Sequence, residues 1–242
     1  MKQLIFLPGM ACDASVWQSQ IAAVPTHWNA RVSDVHFRFD SIEAMAAALL
    51  DETPDADLVL CGASMGGMIA MEAVRQSPAR IRGLALMGTS TRRETPDIRS
   101  LREAAIKLYE QGRVEEVLRA NIPFAFHNDA RRNAAVVDEY LRVIMAAGST
   151  ALVKQNWAVI HRPDARLHLP AVRCPSLVLW GEADQLTPPD CAKEIASLIP
   201  HAQAVELPRC GHMLTMEQPT AVNAFLLPWL NSLDARQRQA DA

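Results

Sequence analysis

Asp57-Leu58-Val59-Leu60-Cys61-Gly62-Ala63-Ser64-Met65-Gly66-Gly67-Met68-Ile69-Ala70-Met71-Glu72-Ala73-Val74 is the stretch that decides the fold. Residues 57–61 read as a buried strand, and residues 65–77 read as a helix. Between them stands the pattern G-x-S-x-G, on Gly62, Ser64 and Gly66. A serine at a sharp strand-to-helix turn is held in a strained backbone conformation, with its hydroxyl projecting from the top of a sheet. Strand and helix then approach so closely that the residues two before and two after must be tiny. The bare pattern arises by chance in on the order of one in ten chains of this length, as a glycine-rich turn that binds nothing. Its place between strand and helix argues for the functional alternative. Neither G-x-x-x-x-G-K-[ST] nor G-x-G-x-x-G stands there, which disfavours a nucleotide-binding turn.

Outward from this turn, short apolar runs alternate with longer helix-like segments, the pattern of a parallel sheet covered by helices on both faces. The expected strands are 2–7, 31–36, 57–61, 82–87, 176–180 and 203–207. The expected helices are 14–23, 42–51, 65–77, 189–198 and 218–231. Residues 92–165 break the rhythm: they contain helical segments at Ile98–Gln111, Val114–Ala120 and Asn133–Ala147. That length exceeds an ordinary crossover, so 92–165 is expected to be a helical cap. Residues 1–91 and 166–242 are then the core.

A serine alone is a poor nucleophile, so the chain must supply a base and an acid that orients it. Functional loops of a parallel sheet follow the carboxyl ends of strands. Of seven histidines, His161, His168 and His201 precede strands, His27 lies in a helix-to-strand connection and His127 lies in the cap. His36 ends an early strand, before the serine. Only His212 follows the final strand, in Pro208-Arg209-Cys210-Gly211-His212-Met213. Among the acids, Asp184 follows a strand directly, in Trp180-Gly181-Glu182-Ala183-Asp184. Glu182 and Asp190 are its neighbours, and Asp190 has a competing explanation at the start of a helix.

The 242 residues, half of them hydrophobic and 21% charged, have globular composition. A net charge of −3 gives no electrostatic case for nucleic acid or an anionic membrane surface. Cys12, Cys61, Cys174, Cys191 and Cys210 form no CxxC pair, so neither a disulfide framework nor a zinc site is expected, and no cofactor is implied. Pro8 and Gly9 stop the first apolar run well short of a signal-peptide core, and no apolar stretch is long enough to span a bilayer. A soluble, cytoplasmic protein is the expectation.

Together these residues resemble the α/β-hydrolase family, whose chain order of nucleophile, acid and histidine is reproduced by Ser64, Asp184 and His212. The resemblance covers nearly the whole chain. Leu7-Pro8-Gly9-Met10 looks like the family's oxyanion loop, with Pro8 where many relatives have histidine. The resemblance implies that the backbone N–H groups of Met10 and Met65 form the oxyanion hole. The chain begins at the strand carrying that loop, so a minimal, six-stranded sheet is expected.

Trp17, Phe124, Phe126, Trp157, Leu186 and Met213 are the candidate substrate-binding residues, as parts of an apolar pocket under the cap. The expected reaction is hydrolysis of a carboxylic ester with a small or medium, largely apolar acyl group. A lactone or thioester is nearly as compatible. Carbon–carbon cleavage of a β-diketone-like ring-fission product, or a binding protein that senses a small ligand on the same fold, are the rival readings.

Overall fold

The computed structural model describes residues 2–240. Six strands, β1 (Lys2–Leu7), β2 (Arg31–Val32), β3 (Asp57–Ala63), β4 (Ile81–Met87), β5 (Ser176–Gly181) and β6 (Gln203–Leu207), form one parallel sheet in the order β2-β1-β3-β4-β5-β6. The register sets Leu7 beside Gly62, Ala63 beside Met87 and Gly181 beside Leu207, so the carboxyl ends of five strands share one edge. The strand order reverses between β1 and β3, which opens a crevice at that edge.

Alternation along the strands builds two cores, one on each face. In β1, Leu4 and Phe6 join one apolar cluster, and Ile5 and Leu7 join the other. In β3, Val59 and Cys61 divide from Leu58 and Leu60 in the same way. All eight side chains are fully buried, and burying each larger one contributes roughly 1.5–3 kcal/mol.

The helices are α1 (Gln18–Ala23), α2 (Val35–Arg38), α3 (Ile42–Asp51), α4 (Met65–Gln76), α5 (Pro96–Glu110), α6 (Val114–Ala125), α7 (Asn128–Arg131), α8 (Ala134–Ile160), α9 (Pro189–Leu198), α10 (Leu214–Glu217) and α11 (Pro219–Ala240). Helices α3, α4 and α9 cover one face of the sheet, and α1 and α11 cover the other. Ser41 starts α3 by accepting the Ala44 N–H, and Thr95 starts α5 by accepting the Ile98 N–H, with Pro96 at the first helical position. Four helices, α5 to α8, occupy the connection between β4 and β5, where α5 and α6 pack on α8. Helix α8 continues past the expected end at Ala147, because the break at Gly148 (φ 77°) is followed by a further helical stretch to Ile160. Among the described residues, no helix is long and apolar enough to cross a membrane, and no group of three histidine, cysteine or acidic residues is placed to hold a metal ion.

One expected strand is corrected. Residues 31–36 pair with β1 only at Arg31 and Val32, and Val35–Arg38 is helical. The ladder reaches Ser33, whose N–H donates to the Phe6 carbonyl at 2.9 Å. The next bond would need an N–H from Pro8, which has none. His36 therefore does not end a strand: it is buried in α2, with Nε2 2.8 Å from the Cys12 carbonyl oxygen.

Candidate active site

Ser64 occupies the sharp turn between β3 and α4 at φ 52°, ψ −118°, a conformation costing on the order of 1–3 kcal/mol for a residue with a side chain. The turn is held from outside. The Ser64 N–H donates to the Met87 carbonyl at 2.9 Å, and the Thr89 hydroxyl donates to the Ser64 carbonyl at 2.7 Å. The flanking glycines are required by close approach: a Cβ on Gly62 would lie 2.4 Å from the Gly66 carbonyl oxygen, and one on Gly66 would lie 2.0 Å from that of Leu7.

His212 and Asp184 meet Ser64 from two other loops. His212 Nε2 is 3.0 Å from Ser64 Oγ, and His212 Nδ1 is 2.8 Å from Asp184 Oδ2. Asp184 Oδ1 accepts the Leu186 and Thr187 N–H groups, each at 2.9 Å, and the Thr187 hydroxyl donates to Oδ2 at 2.8 Å. Four donors on one carboxylate fix its orientation. Burial alone would raise the Asp184 pKa, but the His212 charge and these hydrogen bonds outweigh it and hold the group below the ordinary carboxylate value. Burial likewise pushes the His212 pKa down, and the Asp184 charge and hydrogen bond more than reverse that, so the net shift is upward. An ionised Asp184 demands the proton on Nδ1, which leaves Nε2 to accept from the serine hydroxyl.

The loops are themselves clamped. The His212 N–H donates to the Ala125 carbonyl at the end of α6, at 2.7 Å. The Glu217 carboxylate accepts the Gly211, Met213 and His127 N–H groups, tying the histidine loop to the segment after α6. Neither rival acid reaches the histidine: Glu182 accepts the Arg209 N–H at 3.0 Å, and Asp190, in the first turn of α9, pairs with Arg92.

Residues 13–219 match the family described as the alpha/beta hydrolase fold. The chain belongs to the α/β-hydrolase family. A pimeloyl-[acyl-carrier protein] methyl ester esterase of Aromatoleum aromaticum is 27% identical over 241 residues, covering 89% of this chain and 93% of that enzyme. The malate-bound structure of a thermophilic esterase from Thermogutta terrifontis superposes with a TM-score of 0.86 at 26% identity, over 96% of this chain and 90% of the esterase. An enol-lactonase from Burkholderia xenovorans LB400 has the same fold, with a TM-score of 0.85 at 23% identity, over 96% and 92% of the two chains.

In this α/β-hydrolase, Met65 opens α4 directly after Ser64, so its N–H has no acceptor within the helix. Met10 follows Gly9, where a Cβ would lie 3.3 Å from Ser64 Cβ, so the loop after β1 lies against the serine. The candidates for substrate contact separate. Trp17 is a correction: it has no exposed surface and packs on Phe6 with ring centroids 4.8 Å apart, which makes it a core residue. Phe126 is also buried, edge-on to Tyr140. Met213 is partly buried beside His212. Phe124 and Leu186 are exposed, and their segments meet where the Gln185 N–H donates to the Phe124 carbonyl at 3.3 Å. Trp157 is exposed and stacks on His161.

Two residues that no motif singles out also reach the loop after β1. On α8, Gln155 Oε1 accepts the Ala11 N–H at 2.6 Å and its Nε2 donates to the His36 carbonyl at 2.9 Å. Asn156 Nδ2 lies 3.2 Å from Met10 Sδ. The available signal was the polar triplet Lys154-Gln155-Asn156 between the apolar runs Ala151-Leu152-Val153 and Trp157-Ala158-Val159-Ile160.

Proposed function

We propose that this α/β-hydrolase is a serine esterase acting on a carboxylic ester of a small or medium, largely apolar acyl group. The observation that carries the reading is the continuous hydrogen-bond line from Ser64 through His212 to Asp184, at 3.0 and 2.8 Å. Ser64 Oγ attacks the ester carbonyl while His212 Nε2 takes its proton. Asp184 holds the ring and stabilises the imidazolium. The oxygen of the tetrahedral intermediate accepts from the Met10 and Met65 N–H groups; a donor of this kind contributes about a hundred- to a thousandfold in turnover. His212 returns its proton to the departing alcohol, leaving an acyl group on Ser64. Water, deprotonated by the same imidazole, then releases the acid. No cofactor enters the sequence.

Residues 92–165 act in this reading as a cap that shapes the acyl pocket, with Phe124 and Leu186 at its rim. The esterase relative supports the choice of an ester, and a lactone or thioester would pass through the same acyl-enzyme. The test is p-nitrophenyl ester turnover by the wild type and Ser64→Ala, with mass-spectrometric mapping of a fluorophosphonate label. Label on Ser64 and loss of turnover in Ser64→Ala are expected. Active protein labelled elsewhere overturns the assignment.

A further inference from the structure

Two guanidinium groups share one carboxylate where α5 meets α8. Glu94 Oε1 lies 3.0 Å from Arg102 Nε and 2.5 Å from Arg162 Nη1. The Glu94 and Arg162 side chains are 7% and 5% exposed, and that of Arg102 is 28% exposed. Two positive charges against one negative leave this mostly buried cluster with an excess cation. The other contacts do not neutralise it: Arg102 Nη1 donates to the neutral Asn156 Oδ1 at 3.1 Å, and Arg162 Nη1 donates to the Val159 carbonyl at 2.8 Å. The nearby carboxylates of Glu194 and Asp190 are engaged by Arg92. A buried charge without a partner is costly, so the cluster favours an anion.

Of the two arginines, only Arg102 is open to a ligand. Arg162 borders a cavity of about 10 Å³, too small for anything larger than a water molecule. Among the described residues, Arg102 Nη2 has no hydrogen-bond partner. Its surroundings lead to the nucleophile: Arg102 contacts Asn156, Asn156 contacts Met10 Sδ, and the Gly9-Met10 segment lies against Ser64.

We propose that the acyl group cleaved at Ser64 carries a second, ionised carboxylate, and that Arg102 binds it: the substrate class is a hemiester of a short dicarboxylic acid. The proposal rests on the esterase reading and narrows it, placing a single anion at the end of an otherwise apolar acyl chain. Arginine suits the task because its planar fork pairs with a carboxylate through two parallel hydrogen bonds.

The test compares p-nitrophenyl hemiglutarate with p-nitrophenyl valerate, in which a methyl group replaces the carboxylate, after subtraction of spontaneous hydrolysis. The wild type should favour the hemiester in kcat/KM by about tenfold or more, as expected when a site built for a polar group meets an analogue lacking it. Arg102→Met should bring that ratio close to one, chiefly through KM, and Arg102→Lys should keep part of it. A wild-type ratio near one, or a ratio that Arg102→Met leaves unchanged, overturns the proposal. A second arm needs no turnover. Ser64→Ala is titrated calorimetrically with monomethyl glutarate and with methyl valerate, and again after Arg102→Met is added. Tighter binding of the charged ester that disappears with Arg102 supports the site; equal binding of the two esters overturns it. Discrimination by Ser64→Ala without any wild-type turnover would retain the carboxylate site and reject the esterase. Turnover that depends on Ser64 but ignores the carboxylate would do the reverse.

Discussion

Gln155 accepts the Ala11 backbone N–H at 2.6 Å, and both residues are fully buried. Ala11 stands at φ 55°, a conformation that a residue with a side chain keeps only when its surroundings impose it. A side chain of α8 thus holds the turn that follows Met10. Gln155→Leu would leave the Ala11 N–H buried and unpaired, at a cost of about 1–3 kcal/mol. On the proposed oxyanion role of the Met10 N–H, releasing it from its position should lower kcat by about tenfold or more while KM changes little. Gln155→Glu, which keeps an acceptor facing Ala11, should retain more turnover than Gln155→Leu. Steady-state kinetics beside thermal melts check this; a folded Gln155→Leu with wild-type kcat would show that the contact is only packing.

The pH dependence follows from two opposed effects on His212. Burial disfavours the imidazolium, and the Asp184 charge favours it more strongly, so the folded-state pKa lies above the ordinary 6.5. The base works only when neutral, so kcat/KM should rise with pH through a midpoint above 6.5. Asp184→Asn removes the favourable charge and leaves the burial. Its residual activity should therefore show a midpoint below that of the wild type, along with a loss in turnover of about four orders of magnitude. Glu182→Gln and Asp190→Asn should keep most of the activity, because their contacts are to Arg209 N–H and to Arg92. A crippled Glu182→Gln beside a near-normal Asp184→Asn would reassign the acid.

The cysteines give a third test. Cys61 on β3 and Cys210 before the histidine loop are both fully buried, and burial pushes both thiols well above their ordinary range. Cys12 is pushed up to about 12 by the same cause, with the Asp13 charge adding to it. A thiol held protonated is a poor nucleophile. Iodoacetamide should modify these three slowly in the folded protein, and Cys61→Ala and Cys210→Ala should each retain most of the turnover. Loss of turnover in either folded variant would bring a thiol into the mechanism.

What the sequence made legible here is what depends on short spacing or on strand polarity. Gly62 and Gly66 flank Ser64 because one turn needs both, and that need is local. Asp184 and His212 could be chosen because each follows a strand: Ser176–Gly181 is a wholly buried, largely apolar run, and Gln203–Leu207 mixes polar and apolar residues. The shortening of β2 was hidden, because it depends on Pro8, a residue in another strand's loop that cannot donate a ladder bond. Gln155 was hidden for a similar reason, since its partner Ala11 is 144 residues away. Trp17 stands among the apolar candidates for a pocket under the cap, yet the 3-10 turn Ala14–Trp17 directs it onto Phe6 in the core.

The proposed acyl pocket provides the last test, since Phe124 and Trp157 are both exposed aromatics from 92–165 in very different settings. Phe124 precedes Ala125, whose carbonyl holds the His212 N–H, and its own carbonyl holds the Gln185 N–H beside Leu186. Its side chain therefore belongs to the segment that joins the acid and histidine loops. Trp157 stacks on His161 one helical turn later, with ring centroids 5.7 Å apart, and makes no such link. Phe124→Ala keeps both backbone bonds but removes apolar surface, which is worth about 0.8 kcal/mol per buried methylene to a substrate chain that used it. Rates on longer acyl chains should then fall relative to acetate by severalfold, with the acetate ester still turned over. Trp157→Ala should leave the chain-length profile within about twofold of wild type, as expected of an exposed side chain stacked on His161. A series of p-nitrophenyl esters from acetate to octanoate measures both variants. A flat profile change in Phe124→Ala beside a steep one in Trp157→Ala would move the acyl pocket from the α6 end of the cap to the outer side of α8.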